Sequence, residues 1–447
     1  MKLDNYIEQI YKNNPSLNFC VFNINGDIIY EYSRGYQDLN KNRIVKKDTK
    51  YGIGSITKLF TTIAILQLID KNQLSFNDSI HKFFELEQLS HKFKNLNIKI
   101  KDLLTHTSGI CSLCTSESRY NPEYFLYGKN IKKKFFEKYL INVEKNIISQ
   151  PGRKFKYLNE GFIILGLIIE EVSKTKYEDY IHKNILKKVN MNETSFSYDI
   201  HSINNLATPY IVYNNKEFLE GKFLSSELQQ AGGMISNIRD LRRFSIYLME
   251  NDKTKIISSE NFKKMLDPKI FVSYRSSHLK SYYGMGFFIN KNFNGDDILF
   301  HNGGIMGGRA NMTILPKKGI GSIVLSNSDN LNAEEFSKKV LSELIYKKKY
   351  KTKSEFLKKL DVLPGNYFSY DKNTCTEIKK IDQNKYELII KYHPKNRKIT
   401  LFPKKYTKSF IYLDSYVKKE FFTEGIIKYN FNEKSFIYNQ YIFYKNK

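Results

Sequence analysis

The chain is poor in cysteine: four in 447 residues, Cys20, Cys111, Cys114 and Cys375. So few exclude a disulfide-stapled scaffold and suggest free thiols in a reducing compartment. Long apolar runs are missing too. No window reaches the roughly eighteen consecutive apolar residues of a membrane-spanning helix, so no membrane span is expected. The opening residues, MKLDNYIEQIYKNNPS, lack an apolar core and a small-residue cleavage site, which predicts a cytoplasmic protein. Negative charge is scarce relative to positive: 46 Asp plus Glu against 72 Lys plus Arg, a net charge of +26. Such an excess raises nucleic acid or an anionic surface as a partner. The lysines are scattered, however, and runs such as Lys132-Lys133-Lys134 and Lys347-Lys348-Lys349 read as solvated helix faces without a nucleic-acid motif beside them. No nucleic-acid partner is expected, and the charge aids solubility.

Cys111-Ser112-Leu113-Cys114 is a C-x-x-C pair with His106 five residues upstream. A structural zinc site needs a fourth ligand, and a redox pair needs a βαβ context. The sequence supplies neither, so no metal and no cofactor are expected. No internal repeat stands out.

With 41% hydrophobic and 15% aromatic residues the chain can bury a sizeable core. Its organising stretch is Tyr51 to Asp70, YGIGSITKLFTTIAILQLID. Two glycines, Gly52 and Gly54, lead into Ser55-Ile56-Thr57-Lys58, and from Lys58 on the apolar run without Gly or Pro predicts a helix buried on most sides. Ser55 then stands at the helix start, where serine is also a favoured cap. A capping box wants Glu or Gln three residues on, and Lys58 is there instead. A cation in the first turn opposes the helix dipole, and apolar neighbours desolvate it, so Lys58 is a candidate base for a Ser55 nucleophile. S-x-x-K spacing alone is weak, since it recurs at Ser79, Ser173, Ser277 and Ser415.

Around this helix, Asn18 to Tyr32 reads as a hairpin about Asn25-Gly26-Asp27. Residues 111–150 read as loop and helix over a surface, and Ala231-Gly232-Gly233 as a glycine turn. Further helices are expected at Asn159 to Ser173, Asp240 to Glu250 and Ala333 to Tyr346. Strands are expected at Tyr283 to Ile289, Ile298 to Phe300, Ala310 to Leu315 and Ile320 to Ser326. Strands at both ends with helices between predict one sheet assembled from distant segments and carrying a helical subdomain. A basic linker over 347–360 precedes 361–447, read as a small antiparallel sheet or half-barrel.

Two further groups carry chemistry. Tyr157-x-Asn159 follows Pro151-Gly152 and opens an apolar helix. A phenol beside a cation has its pKa lowered and can pass protons, and an Asn amide can hold both a lysine and a substrate carbonyl. The alternative is an N-capping Asn beside a core Tyr. His301-Asn302-Gly303-Gly304 ends a short strand whose small residues let a substrate backbone lie alongside and a backbone N–H face an oxyanion.

In this order, S-x-x-K, Y-x-N and H-x-G resemble the serine β-lactamase-related, penicillin-binding-protein-like family of class C β-lactamases, DD-peptidases, D-aminopeptidases and esterases. GSITKLFT, DLLTHTSGI at 102–110, PGRKFKYLNEGFIILGLIIEEVS at 151–173, AGGMISNIRDLRRF at 231–244 and YYGMGFF at 282–288 are similar to family stretches, over about Leu17 to Tyr346. Pro364-Gly365-Asn366-Tyr367 resembles the start of the small β domain that many members carry. The resemblance implies an α/β fold, a β-lactamase/DD-peptidase-like antiparallel sheet flanked by helices with an inserted helical subdomain, plus a small C-terminal all-β domain. The hydrolase domain would be 1–346, with its sheet from about 15–50 and 280–346 and its helical subdomain over about 60–280. It also implies the roles: Ser55 nucleophile, Lys58 base, Tyr157 proton shuttle, Asn159 orienting Lys58 and the substrate amide, and His301 supporting the proton network or a substrate carboxylate. Ser55 and Gly304 N–H groups would form the oxyanion hole, with Gly303 beside them. Arg309, next to Gly308 where relatives have an aromatic-then-small pattern, is read either as a partner for a substrate carboxylate or as a surface ion pair. His301 in place of lysine lowers the expectation of a true β-lactamase. The implied activity is acyl-enzyme hydrolysis of amides or esters of small molecules or short D-amino-acid peptides, of aminopeptidase, carboxypeptidase or esterase type. The alternatives are a catalytically silent penicillin-binding-like binding protein or a true β-lactamase.

Overall fold

The computed structural model describes residues 3–40, 42–83, 95–110, 147–213, 217–223, 228–250, 256–275, 279–347, 363–369, 375–382, 385–391, 397–406, 410–417, 420–430, 435–438 and 441–445. The expectations for 111–146, with Cys111 and Cys114, and for the linker beyond Lys347 lie outside them. The chain divides into two compact units, one within the first 349 residues and the other mainly Tyr350–Lys447.

In the first unit, helix α1 (Leu3–Tyr11) leads into β1 (Ser16–Asn23) and β2 (Ile28–Asp38), the hairpin expected from the sequence, with Gly26 at φ 90° in its turn. Strands β3 (Arg43–Ile44) and β4 (Tyr51–Gly52) come before α2 (Thr57–Asp70). Helices α3 (Ile100–Leu104), α4 (Asn159–Ser173) and α5 (Tyr177–Ile181) follow. Next come β5 (Ser195–Phe196), β6 (Tyr210–Tyr213), β7 (Glu217–Glu220), α6 (Gln229–Gly232), β8 (Met234–Ser236), α7 (Ile238–Met249) and α8 (Ser259–Leu266). Strands β9 (Ile270–Arg275), β10 (Leu279–Tyr283), β11 (Phe288–Phe293), β12 (Asp296–Ile305), β13 (Gly308–Leu315) and β14 (Ile320–Ser326) and helix α9 (Ala333–Leu344) follow in the chain, with Ser273–Ser281 grouped in the second unit.

Nine strands form one sheet in the order β3-β2-β1-β14-β13-β12-β11-β10-β9. Its first and last strands in chain order meet: β1 pairs antiparallel with β14, Phe19 opposite Val324 and Cys20 opposite Ile323. Side-chain alternation along β1 then builds three layers. Phe19 meets Phe336 of α9 edge-on at 4.8 Å, and Tyr6 of α1 stacks on that same ring at 5.9 Å. Cys20 and Phe22 point the other way, into the core formed with α2 and α4.

Helix α2 is apolar on every face and is buried from Thr57 to Leu68. Two of its polar side chains bond inward. Thr61 Oγ1 donates to the Gln230 carbonyl at 2.6 Å, and Gln67 Nε2 to the carbonyls of Asn184 and Ile256 at 3.0 and 3.1 Å. Where the sequence suggested a strand from Tyr283 to Ile289, the chain turns between β10 and β11. Gly286 takes φ 83°, and the Gly284 N–H bonds the Phe287 carbonyl at 2.9 Å, which closes the turn. Ala231-Gly232 belongs to the short α6 rather than a glycine turn. Gly166 admits it: a Cβ there would lie 2.0 Å from Gln230 Cγ.

The second unit is a closed eight-stranded barrel, where the sequence suggested a sheet or half-barrel. Its strands are β15 (Gly365–Ser369), β16 (Cys375–Asp382), β17 (Lys385–Lys391), β18 (Arg397–Tyr406), β19 (Phe410–Val417), β20 (Glu420–Asn430), β21 (Ser435–Tyr438) and β22 (Tyr441–Lys445). β15 pairs with β22, so closure leaves no strand edge open. Among the described residues of the whole chain, no helix is long and apolar enough to cross a membrane.

Candidate active site

Ser55 lies in a 3₁₀ turn, Gly54–Ile56, between β4 and α2. The turn starts at Gly54, φ 50°, a backbone that glycine adopts without strain. The N-cap of α2 is Ile56 and makes no side-chain cap, so the Ser55 hydroxyl is not spent on the helix start. Ser55 is half-buried and Lys58 fully buried. Three residues apart on this tight turn, their side chains lie on one face.

The Lys58 amine meets three oxygens: Ser55 Oγ at 3.0 Å, Asn159 Oδ1 at 2.8 Å and the Ala231 carbonyl at 2.6 Å. It also lies 5.0 Å from the Tyr157 ring centre and 5.5 Å from that of Phe162. Burial pulls its pKa down to about 7, with the carboxylate of Glu160 acting in the opposite direction. A neutral amine fits these contacts. It donates to the two carbonyl oxygens, which cannot donate back, and turns its lone pair to the Ser55 hydroxyl.

Asn159 is the first residue of α4, whose N-cap is Leu158 without a side-chain cap. Its amide oxygen faces Lys58, so the capping alternative does not hold. Tyr157, half-buried, shares a side-chain hydrogen bond with Ser55. The sequence suggested a phenol acidified by the neighbouring cation. Here burial dominates and pushes its pKa up, with the bond to Ser55 pulling it down less. Tyr157 therefore holds its proton at neutral pH and can donate it.

His301 is buried and joins the group through rings rather than through the Ser55 hydroxyl. Its Nδ1–H donates to the Asn302 carbonyl at 2.7 Å, its Nε2 faces the Tyr283 hydroxyl at 3.4 Å, and its ring lies 6.3 Å from that of Tyr157. Asn302 ties this end of β12 to α9 and β13. Its Nδ2 donates to Glu334 Oε2 at 2.6 Å, and its Oδ1 accepts from Asn311 Nδ2 at 2.9 Å.

Gly303 and Gly304 bring β12 against the Ser55 turn. A Cβ on Gly303 would lie 1.8 Å from the Ile53 carbonyl oxygen, and one on Gly54 2.5 Å from the Gly304 nitrogen. Gly304 itself is exposed. Arg309 Nη1 donates to the carbonyls of Ile305 and Gly308 at 3.1 and 2.9 Å, stapling the β12–β13 turn beside Gly304.

Two contributors escaped the sequence reading. The Ala231 carbonyl is a backbone atom and leaves no side-chain signal. His106 stands near the C-x-x-C pair in the sequence, yet its ring packs 4.2 Å from that of Tyr157. The one sign was its place in DLLTHTSGI. Among the described residues, no group of three His, Cys, Asp or Glu is placed to hold a metal ion.

Known proteins resemble the chain in sequence and in fold. A family model described as Beta-lactamase matches residues 3–347. The chain is 27% identical over 334 residues to protein flp of Staphylococcus aureus, covering 74% of this chain and 64% of flp. The chain thus spans under two thirds of that relative's length. The octameric penicillin-binding protein homologue from Pyrococcus abyssi superposes with a TM-score of 0.73 at 26% identity, over 99% of both chains. A D-amino acid amidase from Ochrobactrum anthropi shares the fold at 18% identity and a TM-score of 0.59, over 73% of this chain and 92% of that one.

Proposed function

Because the chain belongs to the beta-lactamase family, we propose that it is a serine hydrolase working through an acyl-enzyme on Ser55. One observation carries the reading: a fully buried amine touching Ser55 Oγ, Asn159 Oδ1 and the Ala231 carbonyl at once. Lys58 takes the Ser55 proton as the alkoxide attacks the substrate carbonyl carbon. The Ser55 and Gly304 N–H groups hold the resulting oxyanion. Each such donor is worth about 2.7–4 kcal/mol where one has been removed from comparable sites. Tyr157, protonated at the start, gives its proton to the leaving amine or alkoxide, and the Lys58 ammonium restores it. Water then reverses the sequence: Tyr157 and Lys58 accept its proton, the acyl–oxygen bond breaks, and Ser55 regains its hydrogen. His301, its ring 6.3 Å from that of Tyr157, supports the proton network.

The substrates proposed are amides or esters of small molecules or short peptides, with D-amino-acid derivatives first among them. The support for that class is the family together with the fold shared with a D-amino acid amidase. Ser55→Ala should abolish both turnover and labelling by a serine-directed phosphonate while the protein stays folded. The panel comprises D-aminoacyl anilides, short-chain nitrophenyl esters and a chromogenic cephalosporin. Labelling that persists in Ser55→Ala would reject Ser55 as the nucleophile.

A further inference from the structure

His106 has no part in the steps above, yet it grips the segment that bears Tyr157 at two points. Its carbonyl accepts the Lys156 N–H at 2.7 Å, and its ring Nδ1 accepts the Leu158 N–H at 3.1 Å. The two amides flank Tyr157, so one residue holds the backbone on both sides of the phenol. Its own backbone makes this possible. At φ 56° it is left-handed, a conformation that asparagine and glycine share more readily than most residues.

The ring completes the grip. It is 1% exposed and lies 4.2 Å from the Tyr157 ring at a 35° tilt, with Tyr283 and Phe162 at 4.8 and 5.1 Å. Accepting at Nδ1 leaves the ring proton on Nε2, which is buried with no hydrogen-bond partner among the described residues. A buried N–H left unpaired carries an energetic cost, so packing alone would favour an apolar ring here. What the imidazole supplies that a phenyl ring cannot is the Nδ1 acceptor aimed at Leu158.

We propose that His106 is a positioning residue for the Tyr157 hydroxyl, holding the amides on either side of it and backing its ring so that the phenol stays against Ser55. This rests on the hydrolase reading above. A displaced phenol reaches the leaving group poorly, and small misplacements of reacting groups cost one to two orders of magnitude in rate.

The test uses His106→Gly and His106→Asn in the full chain. Glycine keeps the left-handed backbone and the carbonyl contact but removes the ring. Asparagine keeps the backbone and places its Oδ1 where Nδ1 stood. The readouts are the rate of phosphonate labelling of Ser55, kcat and KM on whichever panel substrate the wild type cleaves, and circular dichroism. Folded His106→Gly should label, and turn over at saturation, about tenfold or more slowly, with KM within about twofold. His106→Asn should return to within about threefold of the wild type. A folded glycine variant labelled at the wild-type rate, or a folded asparagine variant as slow as glycine, overturns the inference. If only glycine fails to fold, the asparagine rate decides by the same threefold bound, and loss of fold in both makes His106 a residue of the fold and overturns it. A wild type that the phosphonate leaves unlabelled sinks the hydrolase reading and this inference with it. A labelled wild type beside an equally labelled glycine variant sinks this inference alone.

Discussion

Lys58 is pulled two ways. Complete burial favours a free amine, while the Glu160 carboxylate favours an ammonium. Burial wins, bringing its pKa from 10.5 to about 7. Only the free amine can take the Ser55 proton, so kcat/KM should fall as pH drops through about 7, and a pH–rate profile reads this acid limb directly. The same shift sets a stability trend. Unfolded, the lysine keeps its proton to about 10.5, so between about 7 and 10.5 the unfolded chain holds the extra proton and stability from this group rises with pH. A flat profile between pH 6 and 8 on a substrate limited by acylation would remove Lys58 as the base. This lysine was legible in the sequence as a residue misplaced in a first helical turn. Tyr157 was legible as a candidate but not in its acidity, because rings such as His106 and Phe288 that surround it come from distant segments.

At the scale of elements, the site depends on how closely β12 approaches the Ser55 turn. Glycine at 303 and 54 permits it, because any Cβ would strike backbone. Gly303→Ala should therefore cost about 2–3 kcal/mol in a denaturant titration and reduce activity, since the strand must back away. Gly304→Ala makes the contrast. Among the described residues its Cβ would meet only the Arg309 guanidinium, at 3.5 Å from Nη1 and 3.9 Å from Cζ, so stability should change by less than about 0.5 kcal/mol. If substrate lies along this exposed edge, the added methyl raises KM. Equal destabilisation by the two would contradict the packing described. The glycine pairs stood out in the sequence. Which of them meets Ile53 is a matter of strand register across more than two hundred residues, and local pattern does not encode it.

The whole molecule carries a net charge of +26, and like charges spread over its surface repel one another in the folded state more than in the expanded chain. Salt screens that repulsion, so the Tm should rise between about 10 mM and 0.3 M NaCl. A fall over that range would mean that ion pairs such as Lys338–Glu334 outweigh the repulsion. By itself the sequence determined the buried helix, the neighbouring hydroxyl and amine, and the likeness to one hydrolase family. Each of these follows from residues a turn or a strand apart, where backbone geometry alone sets who meets whom. Tertiary structure decided the rest. The oxygens that hold Lys58 lie 101 and 173 residues further along the chain, and the burial that frees its lone pair exists only once those segments pack.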